Sequence, residues 1–241
     1  MTPFVRVPFR AVVLAGGKGT RLAPYTLVLP KPLLPIGERP ILDLVLSQLA
    51  GAGCARATLC VGYLAPLIEA YCRDGERWGL ALDYFRESVP LGTAGALGHI
   101  ADLPAEGFLL MNGDVLTDLA YPRLLAAHAA SGADLTIAAF RRIVKDELGV
   151  LEIDDDQRVT AYREKPEHEY LVSMGIYVLS LGAAQRVRAG ERLDFPDLVQ
   201  RLLAEGRKVA VYIHEGYWLD IGRHDDFARA NEESRDRKDE R

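Results

Sequence analysis

Residues 11–35 read AVVLAGGKGTRLAPYTLVLPKPLLP, and this stretch decides the fold that we expect for the chain. The short apolar run 11–14 has the pattern of a buried parallel strand. It ends in a loop with three glycines, where the backbone can turn tightly or approach a ligand closely. Free N–H groups in such a loop attract phosphate oxygens, and Lys18, Arg21 and Lys31 add three cations. The stretch therefore predicts a strand followed by a triphosphate-binding loop.

Two common glycine-rich nucleotide motifs do not fit this loop. A dinucleotide-binding loop requires G-x-G-x-x-G, but Leu22 stands three residues after Gly19. The phosphate loop of NTPases requires G-x-x-x-x-G-K-[ST], and no Lys followed by Ser or Thr occurs at that spacing. The loop by itself indicates phosphate binding and leaves the protein class open.

The composition is that of an ordinary globular chain. The 241 residues are 49% hydrophobic and 26% charged, enough to bury a sizeable core. The net charge is 29 − 34 = −5, so the basic footprint of a nucleic-acid-binding protein is missing. No apolar run approaches the ~20 residues of a membrane span, and the proline-broken start, 1–9, does not fit a signal peptide. Cys54, Cys60 and Cys72 lack C-x-x-C spacing, so we expect reduced thiols in a cytoplasmic protein.

Strand-like and helix-like runs alternate in the first half of the chain, which predicts an α/β fold with a mostly parallel, Rossmann-like central sheet flanked by helices. Expected strands there are 11–14, 57–61, 80–85 and 107–111, and expected helices are 41–52, 64–72 and 94–100. The second half is more β-rich, with expected strands 134–140, 149–153, 158–163, 172–179 and 209–214 and helices 121–130, 195–205 and 225–235. We expect one domain over residues 1–241.

The glycine loop continues as L-A-G-G-x-G-T-R-L and is followed by P-K-P at 30–32. This composite string resembles the sugar-1-phosphate nucleotidylyltransferases (NDP-sugar pyrophosphorylases), and the resemblance runs from residue 11 to about 231. It implies a GT-A-like nucleotidyltransferase fold and an enzyme that makes an NDP-sugar and pyrophosphate from an NTP and a sugar 1-phosphate with Mg²⁺. It also implies a nucleotide-binding half at about 10–120 and a sugar-phosphate-binding half at about 121–232. Short guanylyltransferases for mannose or heptose 1-phosphate look most similar.

The resemblance assigns roles around the triphosphate. Arg21 is expected to stabilise charge on the α-phosphoryl and pyrophosphate groups, and Lys31 to contact the phosphates from the other side. The residues expected beneath the nucleotide are Leu14, Ala15, Gly16, Gly17, Lys18, Gly19 and Thr20. For Lys18, a solvated loop charge is the alternative.

Two aspartates far apart in the sequence are candidates for a metal site. Asp114 ends the run FLLMNGD, and the carboxyl ends of parallel strands line the ligand crevice of α/β sheets. Mg²⁺ favours one or two carboxylates plus phosphate oxygens. The family pairs the Asp of G-D with the Asp of W-x-D-x-G, which implies Asp114 and Asp220 here, with Asn112 beside the nucleotide. Each aspartate alone could instead form a turn or cap a helix. Asp118 is an alternative metal ligand in the same segment, but we expect it to cap the helix near residue 121.

The E-K-P motif at 164–166 follows an alternating strand pattern. In the family, its Glu holds sugar hydroxyls and its Lys holds the sugar phosphate, roles that suit a carboxylate acceptor and an ammonium donor. A charged strand end would look the same locally. The resemblance therefore implies a sugar site made by Gly149, Glu164, Lys165, Gly175 and Tyr177.

Glu87 is the residue expected to read the base, since similar enzymes carry the base-contacting side chain five residues before the glycine that aligns with Gly92. An ionised carboxylate only accepts, which suits the two neighbouring donors of guanine. The P-L-G-T-A-G run resembles the guanylyltransferase branch and adds Pro90, Gly92 and Thr93 to the nucleotide site. GTP is thus the favoured nucleotide. Uridylyl-transferring relatives can also carry Glu near this position, and Glu87 could simply end a strand in solvent.

Three rival functions remain open. A thymidylyl- or uridylyltransferase differs only in the base, and a non-catalytic nucleotide-sugar-binding regulator would keep the fold without the reaction. A GT-A glycosyltransferase would need a D-x-D triplet after a strand, whereas 154–156 lies in a polar turn. The identity of the sugar and a homo-oligomeric state are left undecided by the sequence.

Overall fold

The computed structural model describes residues 8–239, so part of the 1–9 segment considered as a signal peptide lies outside the described residues. The strands are β1 (Phe9–Leu14), β2 (Pro35–Ile36), β3 (Arg39–Pro40), β4 (Cys54–Val61), β5 (Ala81–Arg86), β6 (Phe108–Asn112), β7 (Val115–Thr117), β8 (Leu135–Lys145), β9 (Val150–Ile153), β10 (Val159–Arg163), β11 (Glu167–Leu179), β12 (Val209–His214) and β13 (Trp218–Asp220). The helices are α1 (Ile41–Gly51), α2 (Ala65–Cys72), α3 (Tyr121–Ser131), α4 (Leu181–Ala184), α5 (Phe195–Ala204) and α6 (His224–Asp239).

A seven-stranded sheet in the order β12-β8-β11-β6-β1-β4-β5 forms the framework. Strand β11 is antiparallel to both of its neighbours, and the other six strands share one direction. The predicted mostly parallel sheet is confirmed. The exception, β11, follows β8 without a crossover helix, so the two strands pair antiparallel.

Strand β1 is central and buried on both faces, which explains its unbroken apolar run. Ala11 and Val13 pack into a core with α1, α2 and α3, and Val12 packs into a second core with α4 and α5 on the opposite face. Helices therefore cover both faces of the sheet, as the alternating pattern predicted.

The predicted helix at 94–100 is only a 3₁₀ turn, Gly95–His99. A Cβ added at Gly95 would lie 2.5 Å from the carbonyl oxygen of Glu191, and one added at Gly98 would lie 2.6 Å from that of Arg188. The glycines let this segment press directly against the 188–191 backbone, and glycine also disfavours an α-helix.

Strands β8 and β11 are longer than the sequence pattern indicated, and together they form an arm beyond the sheet. In the register, Ile176 of β11 pairs with Met111 near the end of β6, while the β11 residues 167–172 pair only with β8 residues 140–145. At about 3.3 Å per residue this extension reaches roughly 20 Å past the end of β6. The hairpin of β9 and β10 continues the arm, and it lies on the carboxyl side of the parallel strands.

The three cysteines are free and buried. Burial raises the pKa of each thiol to about 12, so none is a reactive thiolate near neutral pH. In the part of the chain that the structure describes, no helix is long and apolar enough to cross a membrane.

The fully buried hydroxyl of Tyr121 has no hydrogen-bond partner among the described residues. We expect Tyr121→Phe to raise the free energy of unfolding by about 1 kcal/mol, because it removes an unsatisfied polar group and keeps the ring. Urea unfolding measures the change. As a control, Tyr84→Phe removes a hydroxyl that donates to the Arg73 carbonyl, and it should lower stability. A lower urea midpoint for Tyr121→Phe would contradict the prediction.

Candidate active site

Four adjacent parallel strands end at one edge of the sheet, and predicted nucleotide residues follow three of them there. Strand β1 leads into the glycine loop, β4 into Gly62, β5 into Glu87 and β6 into the N-G-D segment 112–114. Backbone hydrogen bonds join neighbouring strand ends. For example, Gly113 N–H after β6 donates to the Leu14 carbonyl of β1 (2.8 Å). The edge matches the place where α/β sheets hold ligands.

The glycine loop packs tightly onto the segment that carries Lys31. Gly19 has φ +62°, in the left-handed region that favours glycine, and a Cβ there would lie 3.0 Å from both Lys31 Cβ and Thr26 Cγ2. A 3₁₀ turn, Thr20–Leu22, then exposes Arg21. In the rest of the loop, Ala15 is buried, Leu14 and Gly16 are half-buried, and Gly17, Lys18 and Thr20 are exposed.

Glu87 lies against the glycine loop. A Cβ at Gly16 would be 3.3 Å from Glu87 Oε2, and one at Gly62 would be 3.6 Å from the same oxygen. The carboxylate therefore borders the backbone of both loops, which a side chain at either glycine would crowd. Burial raises the pKa of Glu87 above its usual range, while a hydrogen bond from the Leu91 backbone partly offsets this.

Lys31 forms an ion pair with Asp114, its Nζ donating to Oδ2. Lys31 is only 8% exposed, which is unusual for a lysine and requires a paired charge. The pair links the P-K-P segment to the end of β6, so the predicted phosphate-binding cation and the predicted metal ligand meet.

Asp220 lies beside Asp114 because β13 pairs antiparallel with β7. The register aligns Asp220 with Val115, and Ile221 N–H donates to the Asp114 carbonyl (3.1 Å). Loss of hydration and then the nearby Asp114 carboxylate raise the pKa of Asp220, and the Lys31 charge partly offsets them. Two carboxylates held this close together are suited to a shared cation.

Arg21 and Asp226 border the same place. A Cβ at buried Gly222 would lie 3.5 Å from Asp220 Oδ2, 3.6 Å from Asp226 Oδ2 and 3.8 Å from Arg21 Nη1. Asp226 also accepts from the Arg223 N–H (2.9 Å) at the start of α6. The glycine of W-x-D-x-G thus leaves room for an arginine and two carboxylates to approach.

These groups fit a magnesium ion. Mg²⁺ is held by one or two carboxylates plus substrate phosphates rather than by a protein cage. Asp114 and Asp220 supply that donor set, and no group of three or more His, Cys, Asp or Glu side chains suited to a metal occurs within residues 8–239. At this edge of the sheet, a bound Mg²⁺ would therefore need phosphate oxygens to complete its coordination.

Asn112 and Gly175 are also brought together, since a Cβ at Gly175 would lie 2.5 Å from Asn112 Nδ2. Tyr177, by contrast, turns into the core: it is 8% exposed, its ring stacks on Phe195 (3.6 Å between centroids), and its hydroxyl accepts from Ser173. Tyr177 is therefore accounted for by packing in the core beside the sheet.

Gly92 and Thr93 are fastened to the start of α5. Thr93 Oγ1 accepts from Phe195 N–H (2.7 Å), and Asp194 Oδ1 accepts from Thr93 N–H (3.1 Å). A Cβ at Gly92 would lie 2.5 Å from the Leu193 carbonyl. This packing accounts for both residues without a nucleotide, while the neighbouring Pro90 is exposed.

The predicted sugar residues Gly149, Glu164 and Lys165 lie on the arm. Glu164 and Lys165 are exposed, and Tyr162 Oη donates to Glu164 Oε2 (2.8 Å). Because the arm extends from the carboxyl edge of the sheet, these residues stand on the same side as the glycine loop and Asp114.

The expectation that Asp118 caps α3 is wrong. Its Oδ1 accepts from the Tyr217 N–H (2.6 Å) and contacts His214 Nε2 (2.8 Å), so it secures the segment before β13 instead. The N-cap position of α3 is Ala120, with no side-chain cap.

The turn expected at 154–156 is confirmed, because Asp154 Oδ1 accepts from the backbone N–H groups of Asp156 and Arg158.

Sequence reasoning missed three residues at these sites. Gly62 directly follows a buried strand, as the glycine loop does. This position after a strand is the sequence signal that could have identified it. Asp226 reads as an ordinary helix-start carboxylate, and Tyr162 as an ordinary strand tyrosine. Only the fold brings Asp226 close to Asp220, whereas Tyr162 already stands two residues before Glu164 and its hydrogen bond to that residue is what the sequence did not indicate.

Comparison with known proteins identifies the family. A family model described as nucleotidyl transferase matches residues 10–237. The chain belongs to the nucleotidyl transferase family. The resemblance inferred from the glycine loop, P-K-P and the two aspartates is therefore confirmed, as is the fold class.

The relatives of this chain are named for different nucleotides. Mannose-1-phosphate guanylyltransferase of Mycobacterium tuberculosis is 36% identical over 92% of this chain and 63% of its own length. UTP–glucose-1-phosphate uridylyltransferase of Synechocystis is 31% identical over 92% of this chain and 62% of its own. The crystal structure of HddC from Yersinia pseudotuberculosis complexed with GMP-PN has a TM-score of 0.72 and 27% identity, covering 93% of this chain and 99% of that one. The chain spans about three fifths of the length of these two curated relatives.

Proposed function

We propose that this chain transfers a nucleoside monophosphate from an NTP, with GTP preferred, to a hexose or heptose 1-phosphate, and releases pyrophosphate. The observation that carries the proposal is the convergence of Arg21, Lys31, Asp114 and Asp220 beside a glycine loop. A nucleotide-sugar sensor has less need of all four charged groups. The guanylyltransferase and the HddC–GMP-PN complex among its relatives favour GTP, and the uridylyltransferase keeps UTP as the second candidate.

The reaction asks the protein to hold two polyanions together. An oxygen of the sugar phosphate forms a bond to the α-phosphorus as the bond from that phosphorus to the pyrophosphate oxygen breaks. No protein nucleophile is needed, because the sugar phosphate is already ionised. Arg21 and Lys31 would stabilise the charge on the α-phosphoryl and leaving groups. Asp114 and Asp220 would hold Mg²⁺, which when bound neutralises phosphate charge.

Glu87 would determine which nucleotide base is preferred. As an acceptor beside the glycine loop, it suits the adjacent N1–H and N2–H₂ donors of guanine. Glu164 and Lys165 on the arm would hold the sugar hydroxyls and the sugar phosphate. A cytoplasmic location and a homo-oligomer remain predictions.

Pyrophosphate release with GTP, ATP, CTP, UTP and dTTP, each against a panel of sugar 1-phosphates with Mg²⁺, tests the proposal. We expect turnover with GTP and at least one sugar phosphate. Turnover only with UTP or dTTP would favour the rival base, and an absence of turnover with every pair would contradict the enzyme. Transfer of sugar from an NDP-sugar to an acceptor would instead indicate a glycosyltransferase.

We expect Glu87→Gln to reduce the preference for GTP over UTP about tenfold in kcat/KM, because an amide replaces one of the two acceptors with a donor. Unchanged discrimination would remove Glu87 from base recognition. Arg86 pairs with Glu69 on the surface, so Glu69→Gln is a matched control that should leave the preference unchanged. Since the pKa of Glu87 is raised, its protonation at low pH should also weaken the GTP preference.

A further inference from the structure

Tyr162 is held in one place on the arm by the carboxylate that the proposed function assigns to the sugar. Its hydroxyl donates to Glu164 Oε2 (2.8 Å), two residues further along the chain. The hydrogen bond to Glu164 also raises the pKa of the Tyr162 hydroxyl, which keeps it a donor. One acceptor position of Glu164 is therefore taken, and its other lone pairs stay open to a ligand.

Gly149 lies next to the Tyr162–Glu164 hydrogen bond. A Cβ built at Gly149 would lie 2.2 Å from Tyr162 Oη, 2.6 Å from Tyr162 Cζ and 3.1 Å from Glu164 Oε2. Any side chain at position 149 would push the hydroxyl away from the carboxylate. The absence of a side chain at Gly149 thus accommodates the tyrosine, where the family resemblance implied room for the sugar ring.

The position of Tyr162 is not explained by packing. The residue is 63% exposed and belongs to none of the buried cores that the structure describes. An exposed tyrosine that packs in no core and is bound to a carboxylate is available to a ligand arriving on the arm.

We propose that Tyr162 is a positioning residue that fixes Glu164 for the sugar and thereby contributes to which sugar 1-phosphate is accepted. This inference rests on the proposed function. An ionised carboxylate only accepts hydrogen bonds, whereas a phenol both donates and accepts. Together the two groups present one free carboxylate oxygen and one phenolic oxygen at a fixed spacing, which adjacent sugar hydroxyls can match.

The test compares Tyr162→Phe, Gly149→Ala and the double variant with Tyr170→Phe, which alters another exposed tyrosine of the arm. Each is assayed for the KM of mannose 1-phosphate, glucose 1-phosphate and the NTP, and for binding of both sugar phosphates by calorimetry. We expect Tyr162→Phe to raise the KM of the preferred sugar phosphate about fivefold, with the KM of the NTP and kcat nearly unchanged. Gly149→Ala should also raise this KM, and the effect of the double variant should be smaller than the sum of the two single effects, because both changes remove the same hydrogen bond.

A purely structural tyrosine would not alter the ratio of kcat/KM between the two sugar phosphates, and a positioning residue would. If Tyr162→Phe matches the wild type and Tyr170→Phe in this ratio and in sugar-phosphate binding, the inference is overturned. If the wild type has no turnover but Tyr162→Phe weakens sugar-phosphate binding, the inference stands and the proposed reaction fails. Neither turnover nor binding in the wild type overturns both.

Discussion

Asp114→Asn is expected to lower kcat/KM by about 10³-fold or more. The substitution removes the charge of one of the two proposed metal carboxylates, and a metal that neutralises transferring phosphate is worth several kcal/mol, with each ~1.4 kcal/mol equal to a factor of ten. It also removes the anionic partner of Lys31, which would then be free to pair elsewhere. Steady-state pyrophosphate release over a range of Mg²⁺ concentrations measures the loss.

The control for this variant is Asp155→Asn in the polar turn between β9 and β10, which makes the same chemical change at an exposed residue. It should retain wild-type turnover. Thermal unfolding of both variants separates a lost site from a lost fold. Turnover of Asp114→Asn within tenfold of the wild type would remove Asp114 from the reaction.

Lys31→Met is expected to lower kcat/KM by about 10²- to 10³-fold and to destabilise the protein by about 2 kcal/mol. The first effect follows from the loss of a cation placed for the phosphates. The second follows because Lys31 is nearly buried, so its removal leaves the Asp114 carboxylate without its ion-pair partner and close to the Asp220 carboxylate. Methionine keeps most of the volume, which limits the cavity that the change creates.

The effect of Mg²⁺ on the unfolding temperature tests the role of this residue. Since the ammonium no longer competes for Asp114, added Mg²⁺ should raise the unfolding temperature of Lys31→Met more than that of the wild type. Lys208→Met, which removes a lysine that donates to the Ser131 carbonyl, is the control and should show the wild-type response. Equal responses in all three proteins would argue against a metal at Asp114.

The glycine loop and its strand could be predicted because their signals are local. An apolar run followed at once by glycines reports a buried strand and a backbone that meets a ligand, and the structure confirms the strand in β1. The meeting of Asp114 with Asp220 was implied by a family resemblance, since nothing in the intervening sequence indicates that β7 and β13 pair.

Other features depend on tertiary contacts that leave no local trace. The outer parts of β8 and β11 lie on an exposed arm and lack the clean alternation of a half-buried strand, so their length was underestimated. Asp118 was assigned to the nearest helix start, but the backbone N–H of Tyr217, 99 residues further along the chain, is its partner. In both cases the deciding neighbour is distant in sequence.

The pairing of β7 with β13 has a consequence for how the protein is made. Asp114 and Asp220 are separated by about a hundred residues, and contacts of such sequence separation form late in folding because a long loop must close first. The glycine loop, β4 and β6 can assemble while the chain is still emerging from the ribosome. We expect metal-dependent nucleotide affinity to appear only after residue 220 has left the exit tunnel, so the nascent chain is held inactive by its own topology until synthesis is nearly complete.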